Sequence, residues 1–278
     1  MYRVKSDSII IDNEKDFNPK HILECGQIFR YENLNENYIV FSGDKFAKII
    51  KSTNGYIIKT NHPQYFAEYF DLNTDYAKIK NELKNYNNQF LNSAIDFGEG
   101  IRILKQDPFE MIISFIISAN NNIPRIKNSI KKLCEAYGEK IDEDKYAFPT
   151  LKELQNASEE FFKSIGLGYR APYMVETIKI LNNIDLQQLS TLDTISLRKE
   201  LMKLKGVGRK VADCIMLFGF QKQDVFPIDT WTHKVYTDYF YTGEKSNEQI
   251  ANYFVKYFKN LSGYAQQYFY YWKQKTKN

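Results

Sequence analysis

Over roughly the first sixty positions, short runs of Ile, Val, Tyr and Phe alternate with polar residues and are separated by turn formers. The spacing predicts strands at 8–12, 28–31, 38–42, 46–51 and 55–60, with turns at Asn33-Leu34-Asn35-Glu36-Asn37, Gly43-Asp44 and Asn54-Gly55. The apolar period then changes from two toward 3.6. Helical patterns begin at 63–70 and 76–86, and from about residue 96 the pattern is almost wholly helical. Asp107-Pro108-Phe109-Glu110 is a helix start: Asp caps free N–H groups, Pro fits the first turn, and Glu occupies the capping-box position. The helix from there, 108–119, is apolar on most sides and so belongs in the interior, and Asn120-Asn121-Asn122 ends it. Further helices are expected at 123–137, 151–163, 171–181, 195–204, 210–218, 230–239, 248–259 and 264–272. The fold class expected is α+β: an N-terminal antiparallel β-sheet domain with helices, residues 1–95, and a mainly α-helical domain, residues 96–278.

Composition narrows the chemistry. With 278 residues and 43% hydrophobic content the chain can build a substantial core, and a formal net charge of +4 permits a polyanionic partner. Cys25, Cys134 and Cys214 are an odd, dispersed set, which argues against a disulfide framework and leaves too few thiolates for a four-cysteine iron–sulfur cluster. There is no Cys-x-x-Cys or His-Glu-x-x-His, and His21, His62 and His233 lack ligand spacing, so neither metal nor cofactor is expected. The N-terminal stretch has no signal-like apolar run and no segment reaches membrane-spanning length; a cytoplasmic protein without membrane contact is expected.

The densest chemistry lies between 204 and 229. In Gly206-Val207-Gly208, glycines without Cβ atoms let backbone N–H groups approach an anion, and the helix that follows adds its positive N-terminal end. Leu204 and Ala212 stand where two short helices pack across the turn. Lys210, in the first turn of that helix, is a candidate amine nucleophile, and Asp229, after Pro227-Ile228, a candidate carboxylate. Each has a plainer alternative: a simple helix connection, a solvated surface lysine and an N-cap. Capping and catalysis are compatible for Asp229, because a carboxylate bonded to N–H groups stays ionised and stabilises a nearby sugar cation. Asn120 to Asn122 are either a polar helix end or contacts to nucleic acid, and Gly166-Leu167-Gly168-Tyr169-Arg170 is either a loop or a wedge with an arginine aimed at a base edge.

Seven stretches together resemble the 8-oxoguanine DNA glycosylase/AP lyase family of the helix-hairpin-helix DNA glycosylase superfamily. They are Cys25 to Tyr31, Gln106 to Glu110, Phe115 to Arg125, Gly166 to Arg170, Gly206 to Cys214, Pro227 to Asp229, and Gly263 to Gln266, in family order over most of the chain. The resemblance implies that Lys210 attacks the anomeric carbon to form a Schiff base and that Asp229 assists base departure. Gly26 then offers its carbonyl to N7–H of the oxidised base, Gln266 meets the Watson–Crick edge, and Cys214 and Phe218 wall the flipped base, with Tyr270 where a phenylalanine is usual. Asn120, Arg125 and Arg170 would hold the orphaned cytosine, Tyr169 would intercalate, and Gly206, Val207 and Gly208 would grip phosphate. Trp231 stands where vertebrate-type members carry a histidine. The expected partner is duplex DNA containing an oxidised purine, engaged by a monomer in base excision repair, with excision preferred opposite cytosine and strand nicking to follow. Other glycosylases of the superfamily, and a non-catalytic DNA clamp built on the same turn, are the competing readings.

Overall fold

The computed structural model describes residues 2–12 and 15–276; Met1, at the head of the N-terminal stretch read above, lies outside them. Six antiparallel strands form the sheet: β1 Tyr2–Val4, β2 Ser8–Ile11, β3 Tyr31–Leu34, β4 Asn37–Ser42, β5 Lys45–Ser52 and β6 Gly55–Lys59, in spatial order β1-β2-β6-β5-β4-β3. Register follows alternation: Ile9 and Ile11, Ala47 and Ile49, and Ile58 all turn to one buried face. Two short helices, α1 Pro19–Leu23 and α2 Pro63–Tyr69, cover that face with Ile22, Leu23, Phe66 and Phe70.

The sheet departs from expectation at 28–34. Residues 28–30 are not a strand, and Asn33 and Leu34, read as turn, lie in β3. β3 is an edge strand paired only with β4, so it tolerates polar residues facing solvent. The actual turn is Asn35-Glu36, both at positive φ (51° and 72°), the geometry a two-residue hairpin requires.

Two further helices, α3 Tyr76–Lys84 and α4 Gln89–Phe97, pack away from the sheet. Leu83, Phe90, Leu91 and Ala94 share a core with Phe226, Phe254, Phe258 and Phe269 from the C-terminal third. The central helix is α5 Pro108–Ser118, with Ile112, Ile113, Ile116 and Ile117 fully buried. Asp107 caps it, accepting from the Glu110 amide at 2.8 Å. Glu110 does not close the capping box. Its carboxylate instead meets Arg30 at 3.3 Å and accepts from the Gly43 amide at 3.0 Å, tying sheet to helix through a buried ion pair.

The remaining elements are α6 Ile123–Tyr137, a small hairpin of β7 Lys140–Asp142 and β8 Lys145–Tyr146, α7 Leu151–Leu154, α8 Glu159–Ser164, α9 Ala171–Leu181, α10 Leu186–Ser190, α11 Thr194–Leu201, α12 Arg209–Gly219, α13 Thr230–Val235, α14 Asn247–Phe258 and α15 Ser262–Thr276. The single helix expected at 151–163 is two, because Ser158 accepts from the Phe161 amide and starts a new helix. The helix expected at 230–239 leaves α geometry at Val235 for a π-type turn over Tyr236–Phe240, and Phe240 packs into the aromatic core. No helix among the described residues is long and apolar enough to cross a membrane.

Candidate active site

The glycine turn joins α11 to α12. Leu204 and Ala212 are buried across it, as the pattern required. Gly206 adopts φ +79°, and a Cβ there would stand 3.0 Å from the Tyr173 ring, so the turn needs glycine twice over. Gly208 ends the turn and caps α12; a Cβ built on it meets nothing within 4 Å. The first-turn amides of α12 have no intrahelical acceptor, as at the start of any helix.

Lys210 and Cys214 lie one turn apart on α12 and border a cavity of about 1140 Å³. Gly26, Phe218, Asp229, Gln266 and Tyr270 border the same cavity. A second cleft, about 940 Å³ between β3 and α6, contains none of these residues. The Lys210 Nζ stands 5.7 Å from the centroid of the Phe115 ring, and among the described residues no carboxylate pairs with it. Phe218 stacks on Phe115 at 5.6 Å and 17°, and Phe29 meets Phe115 edge-on at 5.6 Å, giving the cavity a rigid aromatic floor. Burial pushes the Cys214 thiol up to about 11 against the pull of Lys210, so it stays protonated at neutral pH.

Asp229 is the N-cap of α13. One carboxylate oxygen accepts from the amides of Trp231 (3.1 Å) and Thr232 (2.8 Å), and the Thr232 hydroxyl accepts in return from the Asp229 amide at 2.9 Å. The capping box fixes the side chain while leaving it at the cavity wall. Trp231, at the position where vertebrate-type members carry a histidine, also borders the cavity, with the Lys234 ammonium 5.3 Å from its ring centroid.

Gly26 holds φ +80°, and a Cβ on it would fall 2.8 Å from the Tyr270 ring. Its position depends on a residue not singled out in the sequence. Gln27, fully buried, donates to the carbonyls of Ile22 and Arg102 at 2.8 Å each and accepts from the Leu104 amide at 2.8 Å. Gln106 donates to the Gln27 carbonyl at 2.8 Å. Both glutamines lie inside quoted motifs, so the signal was present; their partners across the fold were not legible. Tyr270 is held neutral far above its usual range by desolvation, reinforced by the Asp229 charge.

The loops expected to face DNA sit beside this cavity. Asn120 lines it, is exposed, and has φ 48°, while Asn122 caps α6 by accepting from the Arg125 amide. Arg125 is exposed on the first turn of α6. Tyr169 is 58% exposed, on a short turn that Gly168 opens at φ 56°. Two further residues expected at the DNA are buried. Val207 is buried and its amide donates to the Leu204 carbonyl at 3.2 Å, so neither its side chain nor its N–H faces outward. Arg170 is also buried: its guanidinium donates at 2.6 Å to both the Ile117 and Ala119 carbonyls, closing the end of α5. Arg170→Ala takes the donor from the Ala119 carbonyl and leaves the Ile117 carbonyl only the Asn121 side-chain amide at 3.3 Å, and is expected to cost about 1–3 kcal/mol. A urea midpoint equal to that of the unaltered protein would refute this clamp.

The family model for the 8-oxoguanine DNA glycosylase N-terminal domain matches residues 9–112, and that for the HhH-GPD superfamily base excision DNA repair proteins matches residues 113–260. The chain is 32% identical over 224 residues to a probable N-glycosylase/DNA lyase of Methanothermobacter thermautotrophicus, covering 72% of this chain and 70% of that one. It is 40% identical over 154 residues to the N-glycosylase/DNA lyase of Saccharomyces cerevisiae, covering 49% of this chain and 41% of the yeast protein. The solved structure of Clostridium acetobutylicum 8-oxoguanine glycosylase/lyase, in complex with double-stranded DNA containing cytosine opposite 8-oxoG, superposes with a TM-score of 0.94 at 38% identity, covering 100% of this chain and 99% of that one. The chain belongs to the 8-oxoguanine DNA glycosylase/AP lyase family of the helix-hairpin-helix superfamily, and is a DNA N-glycosylase with lyase activity.

Proposed function

We propose that this enzyme excises 8-oxoguanine from duplex DNA, preferentially opposite cytosine, and then nicks the strand by β-elimination, acting as a cytoplasmic monomer that needs no metal or cofactor. The observation that carries the reading is that Gly26, remote in sequence, borders the same cavity as Lys210 and Asp229, with room for a flipped nucleotide. Phosphates settle on the first turn of α12, holding the strand beside Lys210. Tyr169 enters the stack the lesion leaves, and Asn120 and Arg125 meet the orphaned base. Arg170 serves by fixing the Asn120 loop.

Inside the cavity the Gly26 carbonyl accepts from N7–H of 8-oxoguanine. Unmodified guanine has a lone pair there, and two facing acceptors repel. The Lys210 amine bonds to C1′ as the N-glycosidic bond breaks, its electron pair leaving with the base. Asp229 stabilises the positive charge that grows on the sugar. The adduct loses a proton from nitrogen and the C1′–O4′ bond opens, O4′ taking up a proton; the Schiff base so formed makes the C2′ proton acidic, and its loss expels the 3′ phosphate and cuts the strand.

Single-turnover cleavage of duplexes carrying 8-oxoguanine opposite each of the four bases tests the proposal. A well-placed base-edge contact gives about 1–3 kcal/mol of discrimination, so cytosine should lead the slowest partner by roughly tenfold or more. Equal rates opposite all four would remove the assignment of Asn120 and Arg125, and absence of cleavage opposite every base would remove the substrate.

A further inference from the structure

Gln266 and Gln267 are neighbours on α15; both border the cavity, and they are 4% and 2% exposed. We infer that Gln267 is a positioning residue that fixes the direction of the Gln266 amide, and through it decides which purine edge the cavity accepts. The inference rests on the proposed reading of the cavity as the lesion-base site.

A glutamine amide offers a donor at one end and an acceptor at the other, and its value as a reader depends on which end points where. Here the direction is dictated from a fixed point. The Pro227 carbonyl, in the segment leading to Asp229, only accepts. The Gln266 Nε2 faces it at 3.4 Å. That turns the Gln266 Oε1 toward Gln267, whose Nε2 donates to it at 2.7 Å. Reversing Gln266 would set two oxygens against each other at Pro227 and two amino groups against each other at Gln267. Reversing Gln267 alone would set its oxygen against the Gln266 oxygen. Only the observed pair of orientations sets a donor against an acceptor at both contacts.

The arrangement leaves the Gln267 Oε1 buried with no hydrogen-bond partner among the described residues. An unpaired buried acceptor is destabilising, and an apolar side chain of similar size would suit so buried a position better. Packing therefore does not account for Gln267; orientation of its neighbour does. The locked Gln266 retains one N–H and one lone pair in a fixed order. A guanine-type edge presents an acceptor at O6 and donors at N1 and N2, whereas an adenine-type edge presents a donor at N6 and an acceptor at N1. A fixed amide matches one order and opposes the other, which is how buried polar groups discriminate most strongly.

The test is the ratio of single-turnover base-removal rates for 8-oxoguanine and 8-oxoadenine, each opposite cytosine, normalised to nicking of a preformed abasic site. That substrate presents no base edge. In Gln267→Leu and Gln267→Met the ratio should fall roughly tenfold, while the thermal midpoint holds or rises. Within a Gln266→Leu background, adding Gln267→Leu should leave the ratio where Gln266→Leu put it. A wild-type ratio near one, an unchanged ratio in both single variants, or a further fall in the double variant overturns the inference alone. Wild-type protein that nicks the abasic site yet removes neither base overturns the cavity reading along with it.

Discussion

Lys210→Gln is expected to yield a protein that binds lesion-containing duplex and does not cut it. Glutamine keeps most of the side-chain length and loses the amine. The helix that carries it is anchored elsewhere, through buried Ala212, Ile215 and Met216 and through Asp213, which meets Arg198 at 2.6 Å. On the proposed reading phosphates are held by backbone amides at the start of α12, which the substitution leaves in place. On the proposed reading, what disappears is the atom that bonds to C1′, and with it both the Schiff base and the elimination that follows. The cutting rate should drop by about a thousandfold or more, equivalent to about 4 kcal/mol of barrier. Borohydride added during turnover should trap wild-type enzyme on the DNA and leave Lys210→Gln free, while gel-shift affinity stays within a small factor. An adduct that still forms in Lys210→Gln would transfer the nucleophile to another group and end this assignment. A non-catalytic clamp, the competing reading, predicts no adduct in either protein.

The second large effect is Asp229→Asn. Asparagine is as good an N-cap as aspartate, so the amides of Trp231 and Thr232 keep an acceptor and α13 keeps its start. The substitution thus removes a charge and little else. A preorganised group facing developing charge in a site shielded from water contributes about 2.7–4 kcal/mol, so base removal should slow roughly a hundredfold to a thousandfold. Thermal stability should change little. Asp229→Ala separates the two duties: it loses the charge and also about 1 kcal/mol of capping. Single-turnover rates of base release, measured apart from nicking, decide the matter, and an unchanged rate in Asp229→Asn would leave Asp229 as a cap alone.

Much of this molecule is legible in its sequence, for identifiable reasons. Alternation set the strands at Ile9, Val40, Ile49 and Ile58 because one face of the sheet is buried. It failed at Asn33 and Leu34, where an edge strand carries turn-forming residues without penalty. α4 was missed although Asn88 caps it and Phe90, Leu91, Ala94 and Ile95 follow at helical spacing. A pattern weighted toward the sheet obscured it. α1 and α10, five residues each, are too short for periodicity to register. At the site, Lys210 and Asp229 were readable because local motifs carry them. The burial of Val207 and Arg170 was not, since a loop arginine reads the same whether it faces solvent or a carbonyl. Gln27 and Gln106 act across 79 positions of sequence, a pairing no local pattern encodes.

Those two glutamines bear on how a one-proton difference becomes a decision. Gln27 is fastened at Ile22, Arg102 and Leu104, and at its own carbonyl by Gln106, so the peptide next to Gly26 has nowhere to retreat. A compliant loop would swing its oxygen aside from an undamaged guanine and let it settle. A stiff one converts the mismatch into ejection. On the proposed reading, the enzyme's tolerance for the vast excess of normal bases comes less from what it grips than from what it refuses to bend for.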